Sequence, residues 1–288
     1  MGLACGIVGL PNVGKSTIFN AITAAGAESA NYPFCTIEPN IGVVDVPDER
    51  LERIHKFIVT DRIVPASLKI VDIAGLVKGA SKGEGLGNKF LGNVKECDAI
   101  LHVVRCFTKG DVIHVSGSVD PARDIEVIEI ELCLADLDTV ARALDRVTKK
   151  SRGGDKEAIL QRDCYDKARV LLEAGTQLRL APWTKVEREA LKPLFLITMK
   201  PVLFIANVAD DDLEGKDPGV EIVRRHAAAS AAEMVALCGD LEGELMTMEA
   251  ADRAGFLADL GLAEPGLHRL IRKAYDLLGL QTFYTAGK

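Results

Sequence analysis

Residues Gly9-Leu10-Pro11-Asn12-Val13-Gly14-Lys15-Ser16 fit the pattern G-x-x-x-x-G-K-[ST], a phosphate-binding loop. That pattern has a required setting: a buried strand before it and a helix after it. The apolar run Ala4 to Val8 supplies the strand, and Thr17-Ile18-Phe19-Asn20-Ala21 continues as the helix. Glycine lets the backbone wrap close to phosphate oxygens with its N–H groups turned inward. Lys15 is a point charge for the β- and γ-phosphates, the Ser16 hydroxyl suits Mg²⁺, and the helix N-terminus adds partial positive charge.

The chain is long enough for about two domains, with 288 residues, and its 48% apolar and 27% charged composition describes a globular protein. A formal charge of −7 argues against a global electrostatic grip on nucleic acid, so any such contact needs a local basic patch. Seven cysteines without a C-x-x-C pair favour reduced thiols and a cytoplasmic location over a disulfide or zinc framework. No signal peptide or membrane-spanning run is expected.

A turn-rich loop, residues 29–40, follows the first helix and contains Thr36. Ile41 to Val46 reads as a strand, Asp48 to Lys56 as a short helix, and Ala66 to Val71 as a strand ending at Asp72. Asp72-Ile73-Ala74-Gly75 then places a carboxylate at a strand end, three residues before a glycine. The carboxylate can reach the Mg²⁺ shell and the glycine N–H a γ-phosphate. Thr36 is the candidate second Mg²⁺ ligand. The glycine-rich run 75–88 can order around a γ-phosphate, or serve as a plain surface loop. A helix from Lys89 to Glu96 leads to the strand Ala99 to Arg105, where His102 reads as a core residue.

Pro121 to Lys150 reads as one long helix, with Val127, Ile130, Leu134, Leu137, Val140, Leu144 and Val147 as its apolar stripe. Ser151-Arg152-Gly153-Gly154 breaks it, and Asp155 caps a second helix to about Glu173. The pair is a helical hairpin inserted into an α/β alternation. Its tip carries Arg146, Lys149, Lys150, Arg152 and Lys156: a solvated helix end, or a surface for RNA phosphates. Trp183 reads as packing. A strand over residues 200–206 ends in Asn207-Val208-Ala209-Asp210. Glu221 to Glu233 reads as a helix, Met234 to Cys238 as a strand, Pro265 to Leu278 as a helix, and Leu280 to Tyr284 as a strand without a partner, as in a truncated chain.

Three blocks together, residues 9–17, 31–40 and 72–80, resemble the Obg-like ATPase family, the YchF group of P-loop switch proteins. The resemblance covers essentially the whole chain. It implies an α/β fold with a doubly wound, mostly parallel sheet of GTPase type and an inserted α-helical hairpin arm. The expected division is a P-loop NTPase domain in two parts, 1–120 and 200–279, a coiled-coil-like arm at 121–199, and the start of a truncated TGS domain at 280–288. It implies nucleotide hydrolysis coupled to ribosome binding, through ribosomal RNA and proteins. The implied nucleotide residues are Asn12, Val13, Gly14, Lys15, Ser16, Thr17, Asn207, Val208 and Asp210. Ser16, Thr36 and Asp72 would hold Mg²⁺, and Lys15, Thr36 and Gly75 would act in catalysis. Asn12 resembles the residue that holds K⁺ in related switch proteins. A monomer is expected.

Two departures bear on function. The family's base-reading block is N-x-x-E, which goes with ATP, whereas this chain has Asp210, whose carboxylate suits the donor pair of guanine. Val208 also replaces the lysine of N-K-x-D GTPases. The family favours ATP and the aspartate keeps GTP open. Leu76 stands where most switch GTPases carry a water-orienting glutamine, so slow intrinsic hydrolysis is expected, with a non-hydrolysing sensor as the rival. A small-molecule kinase is the other rival, disfavoured by the γ-phosphate sensors Thr36 and Asp72-Ile73-Ala74-Gly75.

Overall fold

The computed structural model describes residues 3–27, 40–58, 60–73, 86–108 and 117–286. Thr36, Gly75 and Leu76, with most of the glycine-rich run, lie outside the described residues. The chain runs β1 (Ala4–Val8), α1 (Lys15–Ala27), β2 (Ile41–Asp45), α2 (Glu49–His55), β3 (Ser67–Asp72), α3 (Leu86–Glu96) and β4 (Ala99–Arg105). Two long helices follow, α4 (Pro121–Ser151) and α5 (Lys156–Glu173), then the short α6 (Lys185–Leu191). The α/β alternation resumes with β5 (Val202–Asn207), α7 (Pro218–Ala229), β6 (Glu233–Leu237), α8 (Gly239–Thr247), α9 (Ala250–Asp259) and α10 (Gly266–Leu277).

The six strands form one sheet in the order β2-β3-β1-β4-β5-β6, parallel except for β2, which runs antiparallel to β3. All residues of β1, β4 and β5 are buried, as helices on both faces of a parallel sheet require. From β1 the chain goes first to one side of the sheet and then to the other. The crevice at the carboxyl end of β1 is therefore a topological switch point, where such sheets bind ligands. The registers Arg105↔Asn207 and Asn207↔Leu237 bring β4, β5 and β6 to a common edge there.

A second apolar cluster lies outside the sheet. It joins Val140 and Val147 of α4 to Ala158, Tyr165, Ala168 and Leu172 of α5, and to Leu178, Trp183 and Leu191 beyond. Trp183 is packing: its indole N–H donates to the Leu178 carbonyl at 2.7 Å, and the Lys167 ammonium sits 4.2 Å from the ring centroid. One helix serves both cores, since Ile125, Ile128, Leu132 and Ala135 of α4 pack on the sheet. This corrects the expected stripe. Ile130 is exposed, and the sheet-facing row is offset from the Val127, Ile130, Leu134 row. A helix that touches two cores in succession carries two rows, and a single periodicity cannot represent both.

Asp136, fully buried on α4, fixes the base of this hairpin. It accepts from the Ile197 N–H at 3.0 Å, the Thr198 N–H at 2.7 Å and the Thr198 hydroxyl at 2.7 Å. Lys95 of α3 donates to Thr139 at 2.8 Å, and Lys200 donates to the Lys95 carbonyl at 3.0 Å.

Two other expectations need correction. The helix expected from Glu221 to Glu233 is α7, which begins at Pro218 behind an Asp217 cap and ends at Ala229. Residues 280–284 form no strand. A lone strand has no ladder to join; instead the Tyr284 hydroxyl meets Asp48, and Arg50 lies over the Tyr284 ring. Helices α6, α8 and α9 are additional to the elements expected from the sequence.

Candidate nucleotide site

The turn from β1 into α1 depends on two glycines. Gly9 has φ +156°, and a Cβ there would stand 2.6 Å from the Val103 carbonyl oxygen of β4. Gly14 has φ +94°, and a Cβ there would stand 2.1 Å from Asn207 Nδ2. No side chain fits at either place, so the loop is pressed against the sheet edge. Asn12, at the exposed crest of the loop, adopts φ +61°, which asparagine tolerates better than most residues. Val13 is buried beneath it, and Thr17 is half-buried in the first turn of α1.

Lys15 is the first residue of α1 and is buried. Its ammonium donates to the Leu10 carbonyl at 2.6 Å. Burial pulls its pKa down to about 8, against the pull of the Asp72 carboxylate. This buried cation folds over its own loop and is ready to exchange a carbonyl for phosphate oxygens.

Ser16, exposed, donates to Asp72 Oδ2 over a long 3.4 Å. Asp72 Oδ1 is buried and has no hydrogen-bond partner among the described residues. Burial pushes the Asp72 pKa up, opposed by Lys15 and Ser16. A hydroxyl beside a carboxylate with one unsatisfied oxygen is a hard-oxygen donor set. It fits Mg²⁺, which takes few protein ligands and keeps its waters.

Asn207, at the end of β5, is buried. Its Nδ2 donates to the Val13 carbonyl at 2.9 Å, and its Oδ1 accepts from the Gly239 N–H at 3.0 Å. One amide thus ties the phosphate loop to the N-terminus of α8. Val208 is buried and donates its N–H to Leu237 at 3.0 Å. Asp210 is exposed on the turn that follows.

The structure therefore brings Asn12 to Thr17, Asp72, Asn207, Val208 and Asp210 to one edge of the sheet, while Thr36 and Gly75 lie outside the described residues. Sequence reasoning missed Gly239 and the Leu10 carbonyl. The parallel β5–β6 pairing was the available signal for Gly239, because the loop after β6 must emerge beside Asn207. His102 is a core residue, with its ring 5.2 Å from Phe204 and its pKa lowered by burial to about 4.

A cavity of about 720 Å³ lies elsewhere, between α2, α10 and residues 280–282. Its arginines Arg50, Arg53 and Arg272 are each paired with a carboxylate, so it lacks the free donors that phosphate requires.

Comparison with known proteins agrees with this geometry. A family profile described as 50S ribosome-binding GTPase matches residues 4–141. The ribosome-binding ATPase YchF of Haemophilus influenzae is 52% identical over 287 residues, covering 100% of this chain and 79% of that protein. The chain belongs to the YchF family. The Bacillus subtilis YchF protein is 48% identical over 292 residues, with the same coverage. A solved structure titled the Schizosaccharomyces pombe YchF GTPase superposes with a TM-score of 0.84 at 35% identity, covering 96% of this chain and 75% of that one. The mostly parallel six-stranded sheet is thus the YchF architecture, and its P-loop is a nucleotide-binding loop.

Proposed function

We propose that this YchF-family protein is a cytoplasmic, monomeric, ribosome-associated ATPase that acts as a conformational switch in translation or stress response. The observation that carries the reading is the convergence of a buried Lys15, the Ser16–Asp72 pair and Asn207 on one sheet edge. On this reading the triphosphate takes Lys15 from the Leu10 carbonyl, and the loop amides and α1 N-terminus cradle its oxygens. Ser16 and Asp72, with Thr36, are the residues that would hold Mg²⁺. That ion, when bound, would offset the negative charge of the phosphates. Thr36 and Gly75 report the γ-phosphate. Leu76 cannot orient the attacking water, so intrinsic turnover is slow and a partner accelerates it.

The relatives named ATPases support ATP. One observation favours a second reading, GTP hydrolysis in the same role: Asp210 supplies the carboxylate that guanine recognition uses. The test is a side-by-side titration with ATP and GTP, followed by single-turnover hydrolysis with and without ribosomes. ATP should bind more tightly and ribosomes should raise the rate. Lys15→Ala should weaken triphosphate binding by ~1.5–3 kcal/mol. Unchanged affinity in that variant would remove the site assignment.

A further inference from the structure

We propose that Phe195 and the cations beside it form a contact for single-stranded RNA at the base of the helical hairpin. The proposal rests on the ribosome-binding reading and specifies one surface that serves it. Phe195 closes the 3₁₀ turn Lys192–Leu194 in the left-handed region, at φ +48° and ψ +48°. That closing position is the one glycine usually fills, because a β-carbon there crowds the following carbonyl. The ring returns nothing to the core, since Phe195 is 67% exposed. A residue that strains the backbone and leaves its side chain in water is kept for something other than stability.

Its surroundings indicate the ligand. Lys185, Arg188 and Lys192 are spaced by three and four residues, so they lie along one face of α6 and lead to Phe195. All three are exposed. Lys185 and Arg188 have no ion-pair partner among the described residues, and Lys192 reaches only Glu189, at 3.7 Å. The other nearby acid, Glu187, is already bound to Lys167 at 2.8 Å and to the Thr184 N–H at 2.7 Å. A groove of about 290 Å³ runs beside the ring, lined by Leu191, Leu196 and Met199 among others. An exposed aromatic face with cations at its side is how proteins hold single strands: a base stacks on the ring and the phosphates meet the cations. A neutral or basic peptide seated in the groove would gain nothing from the cationic row.

The test uses three variants of the whole chain: Phe195→Gly, Phe195→Leu, and Arg188→Ala with Lys192→Ala. Binding of a short unstructured oligouridylate is read by fluorescence anisotropy at low salt, alongside thermal melting and co-pelleting with ribosomes. Phe195→Gly should melt at or above the wild-type temperature and bind RNA about 5- to 150-fold more weakly, the loss of one stacked base. Phe195→Leu should lose binding similarly, since it keeps bulk but has no π-face. The double cation variant should lower the salt slope by about 1.4. RNA binding retained by Phe195→Gly or Phe195→Leu would overturn the proposal, as would a lower melting temperature for Phe195→Gly. Wild-type protein that ignores RNA, with ribosome pelleting lost in Phe195→Gly and kept in Phe195→Leu, would identify a protein partner and overturn the RNA contact. Failure of the wild type to pellet with ribosomes would remove the ribosome reading itself. Pelleting shared equally by wild type and Phe195→Gly would remove only this surface.

Discussion

Lys15 combines two demands that conflict: it must be cationic for phosphate, yet it is buried. Its pKa of about 8 lies below the ordinary lysine value of 10.5. Between those two values the unfolded chain holds a proton that the folded one has released. The cost of burying the charge is therefore present below pH 8 and declines as pH rises toward 10.5. Triphosphate binding needs the charge back, so above pH 8 it must take up a proton. Affinity for a non-hydrolysable ATP analogue should fall by up to about tenfold per pH unit above 8; calorimetry in buffers of different ionisation enthalpy would read the proton uptake, and a flat profile would show that Lys15 keeps its proton. The role of Lys15 was legible because glycine spacing and a following helix specify it. The double hold of Asn207 was not, since Val13 lies 194 positions away and Gly239 32. Asp210 is exposed on the turn after Asn207, so Asp210→Glu should move the ATP/GTP affinity ratio toward ATP. An unmoved ratio would assign base choice to other residues.

Elements announced by strong local signals were legible, including the apolar strands β1, β4 and β5 and the Asp155-capped α5. The start of α7 carries such a signal too, an aspartate cap followed by proline at the first helical position. The short helices α8 and α9 lack a side-chain cap, and α6, whose capping box joins Thr184 and Glu187, has too few turns for a period to emerge. On α4 the sheet-facing row was invisible because it depends on where the hairpin leaves the domain, and Asp136 marks that place. Asp136→Ala would leave two buried N–H groups and a hydroxyl without acceptors. The expected loss is about 3 kcal/mol in urea unfolding. A loss under about 0.5 kcal/mol, the scale of an ordinary surface change, would mean that the base of the hairpin is held mainly by its apolar contacts.

At the scale of the whole molecule, the charge of −7 makes any local excess of cations informative. Arg146, Lys149, Lys150, Arg152 and Lys156 are exposed at the α4–α5 turn, without ion-pair partners among the described residues. Replacing Lys149, Lys150 and Arg152 with alanine should weaken ribosome binding and flatten its salt response by about one unit of slope for each phosphate left without its cation. Nucleotide affinity should not change. Ribosome binding that keeps its salt slope would make the tip a solvated helix end. The tip also inherits a mechanical property from α4, which runs unbroken through both cores for 31 residues. Beyond the Asp136 anchorage it projects by about 22 Å, at 1.5 Å per residue. A tilt of about ten degrees at the anchorage therefore displaces the tip by roughly 4 Å, about the length of one residue along an extended chain. Any tilt of α4 at the anchorage is magnified there, so distances measured to a probe at the α4–α5 turn will report such a tilt more sensitively than probes on the sheet.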